Sequence, residues 1–417
     1  MNQPHNADLK LRWTTAADLD LISQTRWLAF GRVSRMLEYY AERLAQDTRC
    51  APTDHILAER EGQAVGTATS LPMTMYIRGA AMSCQGVAYV GTIPTERRRG
   101  GDDPTSGVAS TIMRAVIEEA RRREQVVTAL MPFRASFYER FGYGIVERRV
   151  EWTVPTSLLP QGPADGWRHA TAADAPAQKA CRQRAVEIGQ CDIVRTEAGW
   201  RHIEPTYESA MTFVHPTGNA DVIDARLILT TTIRHDRDVL VVEEFSTGSP
   251  AAMLSILHFL GKFSDQYHAV QITLPADFPL NRILRQTQLP HRRVAHAFAT
   301  ARPFTRMQVR VLNHRRLIES MLLPPHAPFA STIAIRESEG TITRLRIEYD
   351  AGHATVTDGP ADAQFTCSDS TWAAIVTGDL PASTAVRLGL ATSSDPVAAA
   401  NLDILAAGPV PFCNEYF

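Results

Sequence analysis

The chain has 417 residues, of which 44% are hydrophobic, and it carries a formal net charge of −2. This length predicts two to four domains, and the apolar fraction indicates packed cores rather than disorder. Because the net charge is close to zero, the protein has no overall electrostatic field that would attract nucleic acid or an anionic membrane. Neither is therefore predicted as a partner.

Six cysteines are scattered along the chain, without a CxxC pair and without histidines at zinc-ligand spacing, so no metal site is predicted. Free cysteines of this kind fit a reducing compartment. The first residues are polar, and no run approaches about 18 consecutive apolar residues, so neither a leader sequence nor a membrane-spanning helix is predicted. We therefore expect a cytoplasmic protein.

Alternating strands and helices are predicted for the first region of the chain, 1–158. A helix start is expected at Thr14–Asp18, where threonine offers a cap and an acid follows in the first turn. Hydrophobic periodicity gives the other segments of this region. They are strands at 55–60, 64–78, 86–93 and 126–131 and a helix at 108–123. This order of elements favours an α/β fold.

A loop rich in proline and glycine at 155–166 marks the first predicted boundary, and Arg302-Pro303 marks the second. The region 159–301 repeats the mixed pattern, and the region 302–417 adds several alternating strands. The segments predicted in these two regions are helices at 171–188, 250–264, 313–322 and 372–376 and strands at 225–232, 238–244, 269–274, 331–336, 342–348 and 354–357, while 307–312 is not assigned to either type. The whole chain is expected to combine α/β and α+β architecture.

The segment that carries chemistry is Val87–Gly101, an apolar strand followed by a proline turn, an arginine run and two glycines before a helix. Glycine lets backbone N–H groups approach phosphate oxygens, a helix N-terminus offers unpaired donors, and Arg97–Arg99 add charged donors. Gly91 predicts a bulge that splays the sheet. The segment predicts a pyrophosphate site, with a solvated basic turn as the alternative. A Walker loop and a GxGxxG fingerprint are both absent from the sequence.

The string VAYVGTIPTERRRGG at 87–101 resembles the cofactor motif of the GNAT acetyltransferases. The string SFYERFGYG at 136–144 resembles a motif of one branch, the Eis (enhanced intracellular survival) family, and Asn414–Phe417 is similar to that family's acidic and aromatic terminus. The resemblance covers essentially the whole chain. It implies a GNAT domain at 1–158, a second GNAT-like domain without the cofactor motif at 159–301, and a sterol-carrier-protein-like domain at 302–417 that delivers the C-terminus to the first domain.

The resemblance also implies a reaction, in which acetyl-CoA acetylates a primary amine by direct attack in a ternary complex without a metal. Tyr138 is implied as the general acid and the α-carboxylate of Phe417 as the general base. The implied cofactor-binding residues are Tyr89, Val90, Gly91, Thr92, Arg97, Arg98, Arg99, Gly100, Gly101, Pro132 and Phe133. Family members assemble as hexamers, so a homo-hexamer is expected.

The sequence departs from the family's cofactor motif after Gly101, because Asp102–Gly107 intervenes before the helix. The two aspartates of this insertion would repel an anionic pyrophosphate nearby. A non-acetylating binding or regulatory protein on the same scaffold is therefore the alternative, and an apolar-ligand carrier built on 302–417 is a third hypothesis.

Pockets of the family accept cationic amines through acidic and aromatic groups. This sequence carries Arg26 in the stretch where the family has an acid, and Tyr416 replaces the family's penultimate acid. The acceptor is therefore left open among an aminoglycoside, a polyamine and a lysine side chain. The candidate substrate contacts are Trp27, Phe30, Tyr89, Trp200 and Glu415.

Overall fold

A computed structural model of the protein describes residues 8–31, 35–97, 107–217, 222–234, 236–288 and 297–417. In chain order the strands are β1 (Lys10–Trp13), β2 (His55–Arg60), β3 (Gln63–Ile77), β4 (Ala80–Thr92), β5 (Val127–Leu130), β6 (Gly144–Ile145), β7 (Arg148–Pro155), β8 (Arg168–His169), β9 (Asp192–Ile193), β10 (Met211–Pro216), β11 (Ile223–Arg234), β12 (Arg237–Thr247), β13 (Ala269–Pro275), β14 (Thr300–Thr305), β15 (Gln308–Val311), β16 (Phe329–Arg336), β17 (Ile342–Asp350), β18 (His353–Asp358), β19 (Phe365–Ser368) and β20 (Ala391–Ser393).

The helices are α1 (Leu19–Phe30), α2 (Leu37–Gln46), α3 (Val108–Arg122), α4 (Ala135–Glu139), α5 (Ala175–Ile188), α6 (Glu197–Ile203), α7 (Pro250–Gly261), α8 (His314–Ser320), α9 (Asp369–Thr377), α10 (Ala382–Arg387) and α11 (Pro396–Leu402). Each helix within the described ranges is too short or too polar to span a bilayer.

The first sheet has eight strands in the order β1-β2-β3-β4-β5-β15-β6, with β9 paired to β3. Its neighbours are antiparallel except for β4 and β5, which run parallel. Helix α3 covers this sheet with its apolar side chains Val108, Ile112, Val116 and Ala120, all of which are buried. The spacing of these four residues, close to 3.6, is what makes the segment an amphipathic helix.

The second sheet has seven strands in the order β14-β7-β13-β12-β11-β10-β8, with β12 and β13 as its parallel pair. The third sheet has five strands in the order β18-β17-β16-β19-β20. The first and third sheets share one apolar core, which contains Met75 and Val127 from the first sheet and Ile347, Phe365 and Trp372 from the last region. The mixed α/β prediction is confirmed.

Strand pairing crosses both predicted domain boundaries. Strand β7 lies within the range 1–158 but pairs with β13 and β14 in the second sheet. Strand β15 lies within 302–417 but sits between β5 and β6 and so completes the first sheet. The division of the chain at 158 and 301 stays a prediction.

Many predicted elements are confirmed, with their ends shifted. Strand β2 has the predicted bounds, and the helix predicted at 108–123 is α3. The helix start expected at Thr14–Asp18 is a short 3-10 turn in which the Asp18 carboxylate accepts a hydrogen bond of 2.8 Å from the backbone N–H of Thr15. Strand β4 begins six residues before the predicted 86–93, because its early part pairs with β3 along a long hairpin that periodicity alone did not indicate.

Candidate active site

Strands β4 and β5 separate after Val87. Their parallel pairing ends where Val87 meets Leu130. Just beyond, β4 carries a bulge in which Tyr89 and Val90 stand opposite the single residue Ala68 of β3, and Tyr89 adopts a φ of +54°. A bulge bends its strand and redirects the side chains next to it. Among the described residues no strand pairs with β4 on its β5 side beyond Val87, so that edge is open to a ligand.

Gly91 lies next to the bulge rather than in it, which corrects the predicted position by one residue. A Cβ at this position would lie 2.6 Å from Cζ of Phe30 and 2.9 Å from Cβ of Ala29. The glycine therefore lets the end of α1 pack directly on β4. This contact sets Phe30 beside the open edge of the strand.

The N-terminus of α3 is the second feature of the open edge. The helix begins after Gly107, whose φ of +114° is a conformation that glycine adopts readily. Gly107 has no side chain that could cap this end, and the N-terminus of a helix is a place where backbone N–H groups bind anions.

Arg97 has a structural role in this arrangement. Its Nη2 donates to the carbonyl of Ala29 at 2.7 Å and its Nε to the carbonyl of Thr92 at 3.1 Å, so it ties the end of α1 to the end of β4. The remaining predicted phosphate ligands lie outside the described residues, as does most of the predicted insertion. These positions are Arg98, Arg99, Gly100, Gly101 and 102–106.

Tyr138 lies on the short helix α4 and is only 4% exposed. Its ring meets Phe133 and Phe137 edge-on, with centroids 5.9 and 4.9 Å away. The turn that follows places Gly142 at a φ of +77°, where a Cβ would collide with the carboxylate of Asp369. Burial raises the pKa of the Tyr138 phenol, so the group is protonated at neutral pH and suited to donate a proton.

The last residues of the chain return to the first sheet. The ring of Phe417 approaches Gly86 of β4 so closely that a Cβ there would lie 3.1 Å from its Cδ2. Phe417 also packs against the core shared by the first and third sheets. The tail thus joins β4 at the point where β4 and β5 part.

Buried charges hold this tail in place. Oε1 of Glu415 accepts hydrogen bonds from Nε of Arg195 at 2.6 Å and from Nη2 of Arg182 at 3.2 Å. Nη2 of Arg306 donates to the backbone carbonyl of Glu415 at 3.1 Å. Glu415 was predicted to contact the substrate, but its carboxylate is engaged by these arginines instead, so it anchors the tail.

One cavity of about 560 Å³ brings much of the predicted site together. The predicted residues that line it are Phe30, Tyr89, Val90, Phe133, Tyr138 and Phe417. Trp200 lines a different cavity of about 750 Å³ in the second-sheet region, where its ring lies under Arg195 and Arg226. Trp27, Gly91, Thr92 and Pro132 are absent from the described lining of the first cavity.

Family profiles identify two parts of this chain. A profile described as an acetyltransferase (GNAT) domain matches residues 10–146, and a second profile of the same description matches residues 191–311. The chain contains two GNAT domains. The open strand edge and Tyr138 belong to the first of them, as do most residues that line the cavity.

Two curated relatives match part of this chain. An uncharacterised N-acetyltransferase of Streptomyces avermitilis is 30% identical over 113 residues, which are 26% of this chain and 25% of that protein. Another, from Streptomyces coelicolor, is 28% identical over 155 residues, 35% of this chain and 36% of that protein. The matched stretches thus span about a quarter to about a third of these relatives.

Solved structures share the fold along nearly the whole chain. A GCN5-related N-acetyltransferase from Anabaena variabilis covers 98% of this chain and 100% of its own, with a TM-score of 0.81 at 17% identity. Eis1 from Mycobacterium abscessus has the same coverage, with a TM-score of 0.78 at 16% identity. At such identities the likeness establishes the fold of the two GNAT domains and the third sheet, and nothing finer.

Several residues of the first GNAT domain's cavity were missed by sequence reasoning. They come from α1, α2 and the loops beside them, from β4 and the residue after β5, from α6 of the second GNAT domain, and from the tail. They are Arg26, Arg35, Tyr39, Tyr40, Arg43, Arg49, Val87, Ala88, Met131, His202 and Tyr416. One signal was available, since Arg26 already stood out as an arginine where the resembling family has an acid.

Arg26 and His55 form a buried polar pair below the bulge. Nη2 of Arg26 donates to Oγ1 of Thr69 at 2.7 Å and lies 3.3 Å from Nδ1 of His55, while its Cζ lies 3.9 Å from the ring centroid of Tyr89. Burial, and then the positive charge of Arg26, lower the pKa of His55 to about 4. The imidazole is therefore neutral at pH 7 and adds no second charge beside the guanidinium.

The described residues of the first GNAT domain fit a CoA thioester. The open edge of β4 suits the backbone groups of an amide-bearing arm, and a helix N-terminus such as that of α3 suits a pyrophosphate. The first domain is thus the candidate catalytic domain.

Proposed function

We propose that this chain is an acetyl-CoA-dependent N-acetyltransferase that acts on a primary amine by direct transfer. Tyr138 is the proposed general acid, and the α-carboxylate of Phe417 is the proposed general base. One observation carries the proposal: a single cavity of about 560 Å³ joins the open part of β4, Tyr138 and Phe417.

The co-substrate supplies an acetyl group activated as a thioester. On the protein side, the unpaired backbone at Tyr89 and Val90 is assigned to the pantetheine arm, because the separation of β4 from β5 leaves this edge without a strand partner among the described residues. The N-terminus of α3 after Gly107 is assigned to the pyrophosphate. Phe133 lines the cavity beside the ring of Tyr138 and is assigned to the acetyl end.

Two proton transfers are then required of the chain. A primary ammonium must lose a proton before its nitrogen can attack a carbonyl carbon, and the Phe417 carboxylate accepts that proton. An α-carboxylate is a weak base, so its seclusion in the cavity must favour the transfer. As the N–C bond forms and the C–S bond breaks, Tyr138 gives its phenolic proton to the departing sulfur.

We also propose that this chain is a member of the Eis branch of the GNAT acetyltransferases. The support is the string at 136–144, which supplies Tyr138, and the tail at Asn414–Phe417, which lines the cavity through Tyr416 and Phe417. The shared fold with Eis1 is consistent with this placement. The homo-hexamer implied by the resemblance is part of the proposal, and light scattering of the purified protein measures it directly.

The test combines binding with turnover. Calorimetry measures CoA binding, and thiol release from acetyl-CoA measures transfer to a panel of primary amines. We expect CoA to bind, and we expect amine-dependent thiol release that Tyr138→Phe slows by about 10²-fold or more. Binding without release for any amine would favour the non-acetylating alternative, and the absence of both would refute the proposal.

A further inference from the structure

Four arginines line the cavity that holds Tyr138 and Phe417. Arg26 lies on α1, Arg35 just before α2, Arg43 on α2 and Arg49 shortly after it. Among the described lining residues of this cavity there is no aspartate or glutamate side chain. An acceptor with several positive charges would therefore meet like charge, which costs free energy in a partly enclosed site.

Only part of this positive charge is neutralised by the protein. Arg49 is paired with Asp47 through two hydrogen bonds, from Nε at 2.8 Å and from Nη2 at 2.7 Å. For Arg26, Arg35 and Arg43, the described part of the chain provides no carboxylate within ion-pair distance. The cavity thus holds an excess of positive charge even when the α-carboxylate of Phe417 is counted.

The side chain of Arg26 is held in place by its neighbours in the cavity wall. It is 3% exposed, and Nη2 is fixed by Thr69 while the guanidinium stacks on Tyr89. Its Nε has no hydrogen-bond partner among the described residues. A buried guanidinium without an anion is costly, so a ligand that supplies one binds with a corresponding gain.

Arg43 and His202 extend the arginine-lined wall of the cavity to the second GNAT domain. Nη2 of Arg43 lies 3.3 Å from Nε2 of His202 on α6. Burial, and then the charge of Arg49, lower the pKa of His202 to about 4, so its imidazole is neutral at pH 7 and does not satisfy the charge of Arg43. The guanidinium groups thus keep donors for an anion that enters the cavity.

We propose that the acceptor is a primary amine that also carries an anionic group, either a carboxylate or a phosphate, and that Arg26, Arg35 and Arg43 bind this group. The inference rests on the proposed acetyl transfer and names its substrate class. An amino acid is the simplest compound of this kind. The arginines hold the anionic end, and the amino group is left to face Tyr138 and Phe417.

Matched pairs of amines test the substrate class with the full-length protein. L-phenylalanine is compared with phenethylamine and O-phosphoethanolamine with ethanolamine, and spermidine represents polycations. We expect kcat/KM to be at least about tenfold higher for one or both anionic members, because hydrogen bonds to charged groups are strong. The two pairs separate a carboxylate from a phosphate as the recognised group.

Charge reversal then assigns the effect to the arginines. In Arg43→Glu we expect KM for the preferred anionic amine to rise at least about tenfold, while kcat and the Kd for CoA stay near wild type. Arg35→Glu provides the same test if Arg43→Glu does not fold. Arg387→Glu on α10, an exposed arginine remote from the cavity, is the matched control and should behave as wild type.

The outcomes separate this inference from the proposed function. If neutral or polycationic amines are acetylated as well as or better than their anionic partners, the inference is overturned and the acetyltransferase stands. If Arg43→Glu weakens CoA binding instead, the arginines serve the co-substrate and the inference also fails. If CoA binds without turnover, anionic amines must still raise the Tm of the CoA complex, and no rise overturns the inference. If neither CoA binding nor turnover is seen, the function itself fails.

Discussion

The ring of Tyr138 packs edge-to-face with those of Phe133 and Phe137, and burial of the phenol raises its pKa. A phenol that stays neutral is a poor base and a useful acid for a sulfur that leaves as a thiolate. The neighbouring Tyr143 is fully buried, but its hydroxyl is hydrogen-bonded to Thr128 at 2.9 Å and does not line the cavity. Two tyrosines of one aromatic cluster therefore have different expected roles.

Tyr138→Phe removes the proton donor and keeps the ring. We expect kcat to fall about 10²- to 10⁴-fold, the range for loss of a general acid, with the Kd for CoA unchanged. Thiol-release kinetics and calorimetry give the two values. Tyr143→Phe is the matched control. If it lowers kcat as much as Tyr138→Phe does, the loss is caused by altered packing and not by the loss of a proton donor.

His55 gives a prediction for stability against pH. Burial and then Arg26 lower its pKa to about 4, whereas an unfolded histidine titrates near about 6.5. Between these values the unfolded chain binds more protons than the folded one, so stability falls as the pH drops from about 6.5 to about 4. We expect Tm to decline less steeply in this window for His55→Asn than for wild type. The exposed His353→Asn should retain the wild-type profile, and identical profiles for all three proteins would contradict the assignment.

At the scale of elements, the contact between α1 and β4 fixes the position of the cavity wall. Gly91→Val places methyl groups where Phe30 and Ala29 now pack. We expect a loss of about 1–3 kcal/mol in the free energy of unfolding, the usual cost of overpacking, together with weaker amine binding because α1 is displaced. Urea denaturation measures the first and KM the second. Gly248→Val is the control, since nothing lies within 4 Å of its Cβ position.

Local patterns were sufficient for the elements that dominate the candidate domain. Strand β2 and helix α3 follow from periodicity, and Gly91 in an apolar strand indicated a bulge within one residue of its place. The destination of Glu415 could not be predicted, because Arg182 and Arg195 lie more than 200 residues earlier and only the fold brings them to the tail. Arg35, Arg43 and Arg49, on α2 or beside it, escaped notice for the same reason, since the cavity that they share with Arg26 forms only when α1, α2, α6 and the tail meet.

At the scale of the whole molecule, the tail connects all three sheets. It leaves the third-sheet region, crosses the buried arginines of the second GNAT domain and ends on β4 of the first. The shared core and the exchanged strand β15 also join the first and last regions. The candidate active site is therefore assembled from distant parts of the chain, and a substitution that disrupts any one of these parts should alter the site.

An extension beyond Phe417 tests the proposed base. Adding Gly-Ser converts the α-carboxylate of Phe417 into an amide and moves the free acid away from the cavity. We expect kcat to fall about 10²-fold or more, because the proton acceptor is lost, while Tm and the Kd for CoA stay near wild type. Full activity of the extended protein would assign the base elsewhere. The same two residues added at the N-terminus control for the extension itself.

Glu415→Ala tests whether the anchor and the last residue act as one unit. Arg195 and Arg182 keep their bonds to Glu244 and Asp192, at 2.8 and 2.6 Å, so the fold should survive with a loss of about 1–3 kcal/mol.

Two residues downstream, Phe417 should lose its fixed position, and we expect kcat/KM to fall at least about tenfold. If the anchor works through Phe417, adding Glu415→Ala to Phe417→Ala should lower kcat/KM little further, because coupled residues are not additive. Glu348→Ala breaks an exposed pair with Arg346 and should change stability by less than about 0.5 kcal/mol. Fully additive effects on kcat/KM would mean that Glu415 supports activity by a route other than the tail.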